Sequence, residues 1–213
     1  RHQLVLDMSR EDVVSYVIQA VSSVLSSVPI DYVKWDMNRC LSEVGSALLP
    51  PERQGEVYHR YMLGVYRAME VLTSRFPHIL FEGCAGGGGR FDPGILYYMP
   101  QIWTSDNTDA VERLKIQYGT SLAYPLSCMS AHVSTCPNHQ VGRTTPLATR
   151  FHAALTGSFG YELDICSMTP QEKEAVKAQI VEYHRYQEIL TKGRFYRLLD
   201  PADNAYCAWM TVG

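Results

Sequence analysis

Short apolar runs alternate with longer amphipathic stretches along this chain, the pattern left by strand–helix units built around a parallel sheet. Six such runs stand out, at residues 4–7, 30–36, 79–82, 101–105, 124–129 and 159–165. The segments between them carry helix-start signals. Ser9 precedes Glu11 and Asp12 before a stretch that reaches Leu25, Pro51-Glu52 opens one that reaches Phe76, and 106–109 leads into 111–122. Thr145-Pro146 and Thr169-Pro170 each put a capping hydroxyl before a first-turn proline, which predicts helix starts near Leu147 and Gln171.

A complete (β/α)8 barrel has eight such units of about 30 residues each. Six fit here before the pattern changes after Gly193. The predicted fold is therefore α/β, a partial (β/α)8 TIM barrel represented by about its last six strand–helix units over residues 1–192. From Arg194 onward, aromatic and β-branched residues flank Asp200-Pro201-Ala202-Asp203-Asn204, the signature of a hairpin. Residues 193–213 are read as the first strands of a following C-terminal β-sandwich domain.

Composition narrows the function. With 46% apolar and 19% charged residues in 213, the chain can build a core and is not of disordered type. The net charge is −3 and the 19 Lys and Arg are scattered, so no basic stripe offers itself to nucleic acid. No apolar run approaches the ~20 residues that cross a bilayer, and the first residues lack the pattern of a signal peptide. The six cysteines lie far apart in a chain too large to need staples, so reduced thiols and a cytoplasmic location are expected. None of the eight methionines stands at position 1, so the natural N-terminus is expected to be missing, which leaves secretion open.

Two stretches carry candidate carboxylates. In DYVKWDMNR, strand alternation points Lys34, Asp36 and Asn38 one way and Trp35 and Met37 the other. At the C-terminal mouth of a parallel barrel the first face is the active-site face. The plainer reading is an ion pair between Lys34 and Asp36. In IWTSDNTDA, Asp109 fits the helix-cap role, and Asp106 is left at the strand end without a structural task. Two carboxylates from different strand ends suit glycoside cleavage, in which one attacks the anomeric carbon and the other protonates the leaving oxygen. By spacing alone they suit a metal equally well.

The glycines at 86–89 let backbone pass close to a ligand. A phosphate cradle is the competing reading, weakened by the absence of a following Lys-Ser/Thr. Arg90 and Asp92 are expected to pair locally, and Cys84 to be a buried small hydrophobe or a pocket wall. Cys128, His132, Cys136 and His139 cluster without the tight pairs of a structural zinc site; both histidines are placed on a loop after a strand and expected to be exposed, with one of them lining the cleft as the alternative. Trp103, Tyr97 and Tyr98 are assigned to packing, with sugar stacking as the lesser alternative.

Taken in order, VLDMS, DYVKWDMNR, FEGCAGGGGRFDPGILYYMPQIWTSDNTDAVERLKIQYGTS and TGSFGYELDI resemble glycoside hydrolase family 36, the large bacterial and fungal α-galactosidases. The likeness runs from Arg1 to about Ile165. It implies a retaining mechanism on terminal α-linked galactose of melibiose or raffinose type, with no metal or organic cofactor. It makes Asp36 the nucleophile and Asp106 the acid/base. Lys34, Asn38, Cys84, Gly86 and Gly87 match sugar ligands, and Arg1 falls where the family has an arginine that reaches the sugar. An acidic pair and tryptophans that the family draws from earlier in its barrel are outside this sequence. The parent protein is expected to be a homo-oligomer, as the tetramers of many relatives are.

Galactosyl transfer and α-N-acetylgalactosaminide hydrolysis are the rival activities on the same scaffold, and a non-catalytic sugar- or phosphate-binding barrel is the rival of another class. A barrel missing two units would leave sheet edges open. The isolated chain is therefore expected to be inactive and prone to associate.

Overall fold

The computed structural model describes residues 4–213, so Arg1 lies outside the described residues. The chain divides into two compact units, one ending at Pro100 and the other Gln101–Gly213.

In the first unit, α1 (Glu11–Ser27) precedes β1 (Tyr32–Asp36). A 3-10 turn, Pro51–Glu56, runs directly into α2 (Val57–Arg75), followed by β2 (Leu80–Cys84) and α3 (Pro93–Tyr98). The two strands pair in parallel, with Tyr32 opposite Leu80, Lys34 opposite Glu82 and Asp36 opposite Cys84. Parallel strands need a crossover, and α2 supplies it. Its buried Tyr61, Val65, Ala68, Met69 and Leu72 recur at helical spacing and form one apolar stripe. Met69 and Leu72 are 1% exposed, and burial of each such side chain contributes roughly 1.5–3 kcal/mol. Gly64 on the same helix takes a close approach, since a Cβ there would lie 1.8 Å from the carbonyl oxygen of Met8.

The second unit begins with β3 (Gln101–Trp103) and α4 (Ala110–Ser121). A 3-10 turn, Leu126–Cys128, leads into β4 (Met129–Ser134), then α5 (Leu147–Ala154), β5 (Ser158–Glu162) and the long α6 (Pro170–Lys192). β3 pairs with β4 and β4 with β5, all parallel. Ala131 and Val133 of β4 pack with Phe151 and Ala154 of α5, and Phe159, Tyr161 and Leu155 close over them. Thr169 caps α6 in a full capping box with Glu172. The chain ends in an antiparallel hairpin of β6 (Arg194–Leu199) and β7 (Ala208–Val212), with a bulge between Arg197 and Leu199. Arg197 ties it to the end of α4 by donating to the hydroxyl (2.9 Å) and carbonyl of Ser121. Among the described residues, no helix is long and apolar enough to cross a membrane.

The strand–helix alternation is present, with five parallel strands among the described residues where six were expected. Residues 4–7 form no strand. The Met8 amide turns back to the Leu6 carbonyl at 2.9 Å, and the Asp7 carboxylate is taken by Ser9 and Ser46, which bends the segment into a turn. The strand placed at 124–129 starts at Met129 instead, because Pro125 opens the 3-10 turn. Pro146 takes the N-cap position of α5 rather than N1, and Thr145 makes no cap. The helix α3 was not anticipated. It sets Tyr97 outward at 78% exposure, its ring edge-on to Tyr98 at 4.9 Å, while Tyr98 packs 5.6 Å from Tyr66.

Candidate active site

The first cluster of functional groups forms where β1 and β2 end side by side. Alternation along β1 sets Tyr32, Lys34 and Asp36 on its more exposed face. The parallel register then brings Cys84 beside Asp36. The ladder runs one step further, as the Met37 amide donates to the Cys84 carbonyl at 2.9 Å, and this holds the start of the following loop. Asn38 lies next along it. Its Nδ2 donates to Asp36 Oδ2 at 2.8 Å and its Oδ1 accepts from the Gly86 amide at 2.7 Å.

That last bond requires the chain after β2 to reverse at once. Gly86 and Gly87 do so with φ of +59° and +83°, a region that costs a residue with a Cβ about 1–2 kcal/mol. The Ala85 amide closes the turn on the Gly87 carbonyl at 2.9 Å. Cys84 is buried, and this burial, with a hydrogen bond to Asp36, pushes its thiol above the ordinary cysteine value. It therefore stays an S–H group that can donate to the carboxylate.

The expected pairs are partly redrawn. The Lys34 ammonium reaches across the register, its Nζ 3.9 Å from Glu82 Oε1. Arg90 does not pair with Asp92. Asp92 caps α3 by accepting from the Gly94 and Ile95 amides at 2.7 and 3.0 Å, which takes its carboxylate away. Arg90 donates instead to the main-chain carbonyls of Met37 (3.4 Å) and Arg39 (3.2 Å), on either side of Asn38. A cavity of about 540 Å3 opens beside Asp36 and Asn38, walled by Trp35, Tyr61, Val65 and Arg90. Much of the remaining lining is aliphatic, and the polar side chains on it are Asp36, Asn38, Arg39 and Arg90.

In the second unit Asp106 follows β3. The loop around it is fixed by its neighbours. The Asn107 amide donates to Ser105 Oγ (3.1 Å), the Thr108 amide to Gln140 Oε1 (2.9 Å) and the Asp109 amide to Asn107 Oδ1 (3.1 Å). Asp109 caps α4 as expected, accepting from the Glu112 amide at 3.1 Å, and ion-pairs with Arg143. Asp106 is exposed, and no hydrogen bond or ion pair joins its carboxyl to another described residue. A rigid loop that presents one uncommitted carboxyl suits an acid/base group, which needs its oxygen free for substrate.

His132 lies within β4, not on a loop; its half-buried ring lies against Trp103 at 4.7 Å and its Nδ1 is 3.6 Å from Glu162. His139 is exposed as expected. Trp103 packs, 3% exposed, with the Arg113 guanidinium 4.6 Å from its ring centre. All six cysteines are free thiols. Sequence reasoning passed over Tyr32 and Glu82. The available signal was a single acidic residue inside the apolar run at 79–82.

A family model described as Melibiase matches residues 1–193. Over 212 residues the chain is 64% identical to the α-galactosidase AgaA of Geobacillus stearothermophilus and 55% identical to α-galactosidase 1 of Pediococcus pentosaceus. Each comparison covers 100% of this chain and 29% of the relative, so the chain spans less than a third of their length. Crystal structures of variants of the Geobacillus enzyme, one in complex with raffinose and one with stachyose, match with a TM-score of 0.97, covering 99% of this chain and 29% of theirs. The fold is accordingly that of a partial (β/α)8 barrel with a small antiparallel sheet after it.

Proposed function

This chain belongs to the Melibiase family, and from that membership we propose that the whole protein is a retaining α-galactosidase acting on melibiose- and raffinose-type oligosaccharides. The observation that carries the reading is the Asp36 carboxylate at a strand end, oriented by Asn38 and Cys84, in a chain matching α-galactosidases along its length. The aspartates exchanged in the Geobacillus enzyme's stachyose and raffinose complexes give further support. They are separated along that chain by the same number of residues as Asp36 and Asp106 here.

Asp36 attacks the anomeric carbon as the bond to the leaving oxygen breaks, and Asp106 gives its proton to that oxygen. The galactosyl group is then an ester of Asp36. Asp106, now a carboxylate, takes a proton from water, whose oxygen displaces Asp36 and releases galactose with its configuration retained. Lys34, Asn38, Cys84 and the backbone at Gly86 and Gly87 hold the sugar hydroxyls, together with Arg1. The reaction uses no metal or organic cofactor.

Residues 1–192 form the barrel segment and 193–213 the start of a β domain, a division supported by the end of the family match at residue 193. The whole protein is a cytoplasmic homo-oligomer in this reading. In the whole protein, Asp36→Gly should abolish turnover of an activated α-galactoside, and azide should restore it with β-galactosyl azide as product. Near-normal turnover without azide would remove the nucleophile assignment.

A further inference from the structure

Glu82 sits at the centre of β2 with no exposed surface. A carboxylate there costs several kcal/mol unless partners replace its water. The partners come from one face of the adjacent strand. Tyr32 donates its hydroxyl to Glu82 Oε2, and the Lys34 ammonium lies 3.9 Å from Oε1. The register that sets Lys34 opposite Glu82 leaves Tyr32 one step before it and Asp36 one step after it on the same face. Burial, then the bond to Glu82, pushes the Tyr32 hydroxyl well above the ordinary tyrosine value, so it remains a donor.

We infer that Glu82 is a positioning residue for substrate binding, which pins the ammonium group of Lys34 on the wall beside Asp36 without touching the sugar. The inference rests on Lys34 being a galactose ligand, as in the function proposed above. A lysine has four rotatable bonds, and a freely moving one loses that freedom when it grips a hydroxyl. A buried carboxylate, itself fixed by Tyr32, takes up that ordering before substrate arrives, so more of the contact energy remains as binding. Glu82 is fixed by the packing of a strand interior, which makes it a firmer anchor than any exposed acid.

The test uses the whole protein and a nitrophenyl α-galactoside. Absence of turnover by the unaltered protein would count against the α-galactosidase reading itself, whatever Glu82 does. Given turnover, Glu82→Gln keeps the shape and removes the charge, and kcat/KM should fall about 10- to 100-fold, mostly through KM. Lys34→Met should do at least as much, and adding Glu82→Gln to it should cost little more. The monodeoxy galactoside that is insensitive to Lys34→Met should also be insensitive to Glu82→Gln. Wild-type KM and kcat/KM in Glu82→Gln, or a loss that adds in full to that of Lys34→Met, would overturn the inference. Should Glu82→Gln not fold, Tyr32→Phe removes the donor that fixes the carboxylate. It should give a smaller loss of the same kind that vanishes in the Lys34→Met background, and full additivity there would overturn the inference equally.

Discussion

The side-chain amide of Asn38 stands between the Asp36 carboxylate and the glycine turn, 2.8 Å from the one through Nδ2 and 2.7 Å from the Gly86 amide through Oδ1. With both ends engaged, Asn38 fixes one oxygen of the proposed nucleophile, Asp36, relative to the backbone. Asn38→Ala should lower kcat/KM about 10- to 100-fold, the range expected when a hydrogen bond to a charged group is lost. Steady-state kinetics with a nitrophenyl galactoside would check it, and an unchanged kcat/KM would remove the role.

Asp106 and Asp109 are three residues apart and should respond oppositely to neutralisation. Asp109 is 1% exposed, caps α4 and pairs with Arg143. Its replacement by Ala should cost about 1–2 kcal/mol from the cap alone, with a further loss from the ion pair to Arg143, which would keep Glu112 as its remaining partner. Asp106→Asn should leave the thermal midpoint where it is and lower turnover at least about 100-fold, as loss of an acid/base group does. Comparing melting curves and rates of the two variants separates the roles, and the assignment fails if Asp106→Asn keeps its activity.

Gly86 has a φ of +59°, yet a Cβ built there meets nothing within 4 Å. The demand is on backbone conformation and not on space. Gly86→Ala should therefore destabilise by about 1–2 kcal/mol, and Gly86→Asn by less, since Asn enters the left-handed region more readily. Equal losses in thermal melting would show that the position is selected for another reason.

The thiols should fall into two groups. Cys40 and Cys166 are exposed, whereas burial raises Cys84 above the ordinary value and pushes Cys128 up to about 11. Only thiolate is alkylated, and a raised value means less thiolate at neutral pH. Mass-spectrometric mapping after brief iodoacetamide treatment at pH 7 should find label at Cys40 and Cys166 before Cys84 and Cys128. Raising the pH towards 11 should bring Cys128 in.

What could be read from the sequence is what local chemistry dictates. The 30–36 run holds a strand, Tyr32–Asp36, because its apolar and polar residues alternate, and the Thr169-Pro170-Gln171-Glu172 sequence states a helix start in four letters. Asp109 was separable from Asp106 because only one of them sits where a cap must be. β4 was misplaced since its buried positions include Ser130, Ala131 and Ser134, which carry little apolar signal, while the turn before it holds Leu126 and Cys128. The partners of Arg90 are main-chain carbonyls more than fifty residues earlier, and no local pattern encodes them. Glu82 reads as the end of an apolar run; its burial depends on Tyr32 and Lys34, which only the register brings alongside.

That register has a consequence for how such a protein can change. A strand shifted by one residue turns every side chain to the opposite face, so inserting or deleting one residue within β1 or β2 would swing Asp36 or Cys84 to the helix-facing surface in a single step. Exchanges of side chain within these strands preserve the layout, whereas changes in residue count do not. The loops beyond the strand ends are where length can be added while the ladder stays undisturbed.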